Sequence, residues 1–191
     1  MDTRDYIDFL GRIEKLKCNT RHSWTSTGRH ESVAEHSWRL AVMALLCKDE
    51  YPDLDMDKVI KMCLVHDFGE AVTGDIPAFL KTALDETEEK TAVDQLLSGL
   101  PEKLREEIAG LFAEMEARES DEAKLFKALD NMEALVSHNE APISTWLPME
   151  YEMNLVYGQE NAAWSSWTKE LRSNLKKDTQ EKIQQAKMGN K

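Results

Sequence analysis

The chain has 191 residues and a formal charge of -12, from 36 Asp and Glu against 24 Lys and Arg. With 41% hydrophobic and 31% charged residues it has enough apolar content for one sizeable core and is not a disordered chain. The acidity excludes a nucleic-acid duplex or an anionic membrane as the main partner, because either needs clustered Lys and Arg. An anionic substrate would have to be met by a local cation.

The start, Met1-Asp2-Thr3-Arg4-Asp5, carries no cationic segment followed by an apolar run, so no signal peptide is expected. No stretch approaches the roughly 20 apolar residues of a membrane span. Cys18, Cys47 and Cys63 lack C-x-x-C spacing and read as reduced thiols of a cytoplasmic protein.

In chain order the pattern is helix after helix. Tyr6, Phe9, Leu10, Ile13 and Leu16 recur at helical spacing and predict an amphipathic helix over 4–16. A polar, irregular connection from Lys17 to Glu31 follows, and Ser32-Val33-Ala34-Glu35 has the form of a capping box opening a helix to about Asp49. Tyr51-Pro52-Asp53 breaks that helix, and Asp55 caps the next, a nearly all-apolar run from Met56 to His66.

Gly69, Gly74 and Pro77 punctuate the segment after it, and Gly69 offers the freedom to turn neighbouring side chains towards one point. Further helices are predicted over about 85–97, from Pro101 to about Ala117, and from Ser120 to about His138. Pro142 and Pro148 bracket a short apolar segment, then come a piece over 149–157 and a helix over 161–175. The polar remainder, 176–191, reads as a fraying helix end or tail. No β-branched alternating run occurs, so the fold class is all-α, in one compact multi-helix domain over 1–175.

The stretch from His66-Asp67 to Asp75-Ile76-Pro77 stands out. An imidazole and a carboxylate end an apolar helix there, which costs several kcal/mol unless something compensates, and a metal ion is the usual compensation. His36, at the start of a core helix, and Asp130, among Phe126, Leu129, Met132 and Leu135, are equally anomalous unless tied to the same ion. Each alone has a plain alternative: a hydrogen-bonded His-Asp pair, a helix-face His, a solvated acid. Two imidazoles and two carboxylates without thiolates suit a divalent ion such as Mn²⁺, Co²⁺, Fe²⁺, Ni²⁺ or Zn²⁺, and leave room for water and a substrate oxygen.

The quartet His36, His66-Asp67 and Asp130 resembles the HD-domain superfamily of metal-dependent phosphohydrolases. The spacing H-D-x-x-E-x-x-x-G-D-I over His66 to Ile76 resembles its 5′-deoxyribonucleotidase branch, as do Arg21-His22-Ser23-Trp24, Glu31 to His36, and Glu122-Ala123-Lys124-Leu125 with Leu129-Asp130. The match covers roughly 4–140. In some relatives the Arg and Trp are adjacent, whereas two residues separate them here.

The resemblance implies an all-α HD domain and one divalent ion on the quartet. It further implies Glu70 as general acid/base and Asp75 near the sugar or the attacking water. Arg21 would be the phosphate clamp, Trp24 the sugar-sensing wall, and Glu114 or Glu116 a further acid reaching the site. The implied activity is release of phosphate from deoxyribonucleoside 5′-monophosphates by a homodimer. The alternatives are another phosphohydrolase of the superfamily, acting on a triphosphate, a cyclic dinucleotide or a guanosine polyphosphate, or a non-catalytic nucleotide-binding protein. Trp164, Trp167, Phe79 and Leu80 read as core or subunit interface, and His138 as a weak second-site candidate.

Overall fold

The computed structural model describes residues 1–77 and 79–189. Asp2 accepts a hydrogen bond from the Arg4 backbone N–H and caps α1 (Thr3–Ile13), which gives way to the single turn α2 (Lys15–Cys18). The first helix is therefore broken where one helix was expected, and only part of its apolar stripe turns inward. Phe9 packs against the Val93 and Leu97 cluster and Leu16 is buried, while Tyr6 is 56% exposed and Leu10 42%.

The connection expected to be irregular contains a hairpin, β1 (Thr20–Trp24) antiparallel to β2 (His30–Ser32). Its pairing needs no apolar alternation. Gly28 supplies a left-handed turn at φ 82°, Thr25 N–H donates to the Arg29 carbonyl at 2.7 Å, and Trp24 lies on His30 with ring centroids 4.0 Å apart across the strands. This ribbon is the one sheet among the described residues, and the fold is all-α as expected.

Ser32 then closes the capping box with Glu35 at the start of α3 (Val33–Leu46), and a 3₁₀ turn at Lys48–Glu50 leads to the break at Tyr51-Pro52. Asp55 caps α4 (Met56–Val65) through the Lys58 N–H. After four turn residues come α5 (Glu70–Thr73), α6 (Ala83–Leu97), α7 (Glu102–Ala117) and α8 (Asp121–Glu140). The last third holds α9 (Glu150–Val156), α10 (Gln159–Ala162) and α11 (Ser166–Gly189). None of the described helices is long and apolar enough to cross a membrane.

α3, α4 and α8 pack on one another around Leu40, Ala44, Val59, Met62, Leu125 and Leu129, all fully buried. Tyr51, Trp164 and Trp167 close one side of this core, with Tyr51 and Trp164 stacked at 5.7 Å. Three buried helices meeting in this way bring a side chain from each to one interior point.

Of the two readings of the polar end the structure has the helix, and one expectation, the turning role of Gly69, is corrected. The polar segment after 175 continues α11, because Leu175, Thr179 and Ile183, four apart, form a buried stripe within a polar run, and Thr179 donates to Asn139 Oδ1 at 2.9 Å. Gly69 has ordinary right-handed helical dihedrals, and its role is space. A Cβ there would meet the Glu89 backbone oxygen at 3.1 Å and Val93 Cγ2 at 3.1 Å, so the lack of a side chain lets the His-Asp turn press onto α6.

Gly158 is different. Its φ is 69°, and a Cβ would lie 2.7 Å from the Asn131 Cβ and 2.8 Å from Met132 Cε on α8. Gly158→Ala is expected to lower stability by about 1–3 kcal/mol, read as a fall in the urea midpoint with an unchanged slope.

Candidate active site

α3 contributes His36 from its first turn, the turn ending α4 contributes His66 and Asp67, and α8 contributes Asp130 from its middle. The chain tightens after Val65, where Phe68 N–H donates to the Val65 carbonyl and Glu70 N–H to that of Asp67. That tightening swings the adjacent His66 and Asp67 side chains onto one point. His66 Nε2 lies 3.0 Å from Asp67 Oδ2, His36 Nε2 lies 3.2 Å from both His66 Nε2 and Asp130 Oδ1, and the remaining His-to-carboxylate separations are 3.9 Å. His36 is 1% exposed, and the other three are largely buried.

The far sides of both imidazoles are occupied. His36 Nδ1 bonds Glu133, and His66 Nδ1 donates to the Cys63 carbonyl at 3.0 Å. Each ring thus turns its Nε2 towards the other, which is how His ligands are oriented by a carboxylate or a carbonyl behind them. Two imidazole lone pairs and two carboxylates converging in a buried space are mutually unfavourable without a cation, and the N₂O₂ donor set fits a divalent first-row ion.

The charges respond to this crowding. Burial lowers the His36 pKa and the Arg21 charge lowers it further, but hydrogen bonds to Asp130 and Glu133 prevail and raise it to about 9. Burial works against ionising Asp67, yet His66, His36 and Arg21 hold its pKa down to about 2. Asp130 is likewise held well below the usual range, against its burial, by Lys127, His36 and His66. Lys127 Nζ sits 2.7 Å from Asp130 Oδ2, the oxygen away from His36.

Glu31, His36 and Glu133 form a second acid-and-imidazole group. There the two carboxylates are already met by two guanidiniums. Arg21 Nη1 is 3.2 Å from Glu31 and 3.3 Å from Glu133, and Arg39 Nε is 2.7 Å from Glu133. Its charge is balanced by the chain itself, and it serves to hold His36 and Arg21.

Arg21 and Asp75 also line a cavity of about 230 Å³ between β1, the loop after α5, α8 and α9. Glu70, at the head of α5, is 7% exposed, and its Oε2 has no hydrogen-bond partner. Burial and the charges of Asp67, Asp75 and Glu89 push its pKa up to about 10, and burial likewise raises that of Asp75.

Other expected residues fall elsewhere. Trp24 lies off this wall, its ring tilted against His30, and borders a small adjoining space that shares His22, Ser23, His138 and Glu150 with the cavity. Glu114 is held by Lys58 at 2.8 Å and Glu116 by Lys90 at 2.8 Å, so neither reaches the quartet. Phe79, read as core or interface, stands on the cavity wall, and so does His138. Glu133 and Arg39 were missed, though each sits three residues beyond a singled-out residue, Asp130 and His36, on the same helix face. Glu150 and Asn154 belong to a stretch with no motif and gave no signal.

The profile of the HD domain family matches residues 13–172. The chain is 37% identical over 141 residues to the 5′-deoxynucleotidase HDDC2 of Bos taurus, covering 72% of this chain and 68% of the relative. It is 31% identical over 137 residues to the 5′-deoxynucleotidase hdd1 of Schizosaccharomyces pombe, covering 68% of each. Its fold overlays, with a TM-score of 0.78 and 27% identity, on the crystal structure of a predicted metal-dependent phosphohydrolase from Magnetospirillum magnetotacticum, over 96% of this chain and 94% of the other. A histidine from one helix, a His-Asp pair ending a second and an aspartate from a third, under a family profile that spans most of the sequence, place this chain in the HD domain family of metal-dependent phosphohydrolases.

Proposed function

We propose that this HD-domain hydrolase releases phosphate from deoxyribonucleoside 5′-monophosphates, using one divalent transition-metal ion held by His36, His66, Asp67 and Asp130. The carrying observation is the convergence of these four donors, 3.0 to 3.9 Å apart, beside a cavity that Arg21 and Asp75 line. The names of the relatives support the substrate class. When bound, the ion would polarise the phosphate and lower the pKa of a water.

The chain's own groups do the rest. Arg21, fixed through Nη1 by Glu31 and Glu133, presents its remaining donors to phosphate oxygens as a planar fork. Glu70, buried at the head of α5 where burial raises its pKa, is the group we assign to give a proton to the departing 5′-oxygen. Asp75 lines the cavity together with Arg21 and is placed to orient the sugar or the attacking water.

Trp24 enters as sugar sensor through the resemblance alone. We read the chain as a cytoplasmic homodimer of one domain, with 176–189 as the end of α11; the buried, free Cys47 and Cys63 suit a reducing compartment.

The test is a phosphate-release screen of nucleoside mono-, di- and triphosphates with several added metals, before and after chelation. Deoxyribonucleoside monophosphates should be cleaved only with metal. Release confined to triphosphates, or none, would sink the reading. In the same assay Trp24→Ala should narrow the gap between deoxyribo- and ribonucleotides if Trp24 senses the sugar, and an unchanged ratio makes it a packing residue.

A further inference from the structure

Asp130 is engaged from two sides. Its Oδ1 faces His36 Nε2 at 3.2 Å and His66 Nε2 at 3.9 Å, on the side where the four donors converge, while its Oδ2 accepts from Lys127 Nζ at 2.7 Å. Lys127 stands three residues earlier on α8, so the helix brings the two side chains to one face, and it follows Phe126 and precedes Ala128 and Leu129 in a buried run. It is not among the described residues that line the cavity, so it can act on a substrate only through Asp130 and through its charge.

The other cations near the site have carboxylates of their own. Arg21 is met by Glu31 and Glu133, Arg39 by Glu133 and Glu140, and Lys81 by Glu89. Lys127 differs, because its one ion-pair partner among the described residues is Asp130, and the metal reading gives that carboxylate's charge to the ion. Two neutral imidazoles and two carboxylates cancel a divalent ion and leave the charge of Lys127 over. Asp75, on the cavity wall, has no ion pair among the described residues, so the surplus cation is what offsets it in a chain of formal charge -12.

We propose that Lys127 is a positioning residue that acts through Asp130: held against its outer oxygen, it keeps the metal-loaded site from being anionic and so admits a phosphate dianion. The proposal rests on the single-ion reading of the quartet. Its signature is a pair of opposite effects, because the charge that attracts phosphate also competes with the ion for Asp130. A partner that merely oriented Asp130 would behave otherwise, since losing such a group weakens metal binding by about 10–100-fold.

The experiment compares Lys127→Met, similar in length and without charge, with the wild type in two titrations. Co²⁺ binding to the metal-free chain, read by competition with a chromophoric chelator, should be at least as tight in the variant. Inorganic phosphate binding to the Co²⁺-loaded chain, read by calorimetry, should be about tenfold weaker. Lys127→Arg, which keeps the charge, should retain most of the phosphate affinity. Looser Co²⁺ in Lys127→Met overturns the proposal and makes Lys127 an orienting partner of Asp130. Unchanged phosphate affinity with native circular dichroism, or an equal loss in Lys127→Arg, overturns it too, and each of these results leaves the single-ion reading standing. Co²⁺ held equally well by the wild type and by Asp67→Ala would put the ion elsewhere, and the reading and the proposal would fall together.

Discussion

Asp67→Ala is expected to abolish the bound ion and the turnover together, with a loss in kcat/KM greater than about 10²-fold. The bound is conservative, because removing a group that merely orients a ligand already costs 10–100-fold in metal affinity or activity, and Asp67 supplies a converging oxygen itself. Its Oδ2 is 3.0 Å from His66 Nε2 and 3.9 Å from His36 Nε2, so the alanine variant removes one wall of the four-donor cluster while leaving the imidazoles paired to Glu133 and Cys63.

Elemental analysis of the purified chain should give about one ion in the wild type and none in the variant. Two tightly bound ions per wild-type chain would overturn the single-ion reading. The structure offers no ready second place among the described residues, because the other acid-and-imidazole group already has Arg21 and Arg39 against Glu31 and Glu133.

Much of this site was legible because its residues are improbable where they stand. An imidazole and a carboxylate at the end of α4, next to fully buried Met62 and Cys63, and an aspartate in the apolar face of α8 are anomalies that one ion explains. The helices were legible for the complementary reason. Capping at Ser32 and Asp55 and the apolar spacing of α3, α4 and α8 are local properties, and tertiary packing reinforced them.

What could not be seen depends on distant partners. The β1–β2 ribbon lacks an apolar period because its strands are held by backbone pairing, a turn and the tilted contact of the Trp24 and His30 rings. The stripe seating the end of α11 is only Leu175, Thr179 and Ile183 among polar neighbours. The wall of the cavity joins β1 to α9, more than a hundred positions apart, through the bond from His22 to Glu150, and no spacing rule links them. Glu133 is an intermediate case: its offset from Asp130 put it on the right face, but its task is set by His36, Arg21 and Arg39 arriving from elsewhere.

Glu70→Gln separates proton transfer from metal binding, and the expected result is retention of the ion and of substrate binding with turnover lower by about 10²-fold or more. Glutamine keeps the shape of the protonated acid and removes its transferable proton. Loss of the ion in this variant would make Glu70 a ligand and end its role as proton donor.

A second readout comes from stability in the metal-free protein. Burial first, then Asp67, Asp75 and Glu89, raise the Glu70 pKa from the ordinary carboxylate range to about 10, and its buried Oε2 has no partner to favour ionisation. An acid whose folded pKa is raised contributes stability that is complete below its unfolded pKa and is lost as pH climbs towards the folded value. Between about pH 5 and pH 8 the wild type should therefore lose stability that Glu70→Gln, having nothing to ionise, keeps. The urea midpoint of the variant minus that of the wild type should rise across this window. A constant difference would mean that the carboxyl ionises freely in the folded chain, and Glu70 would then lack the proton the mechanism assigns it.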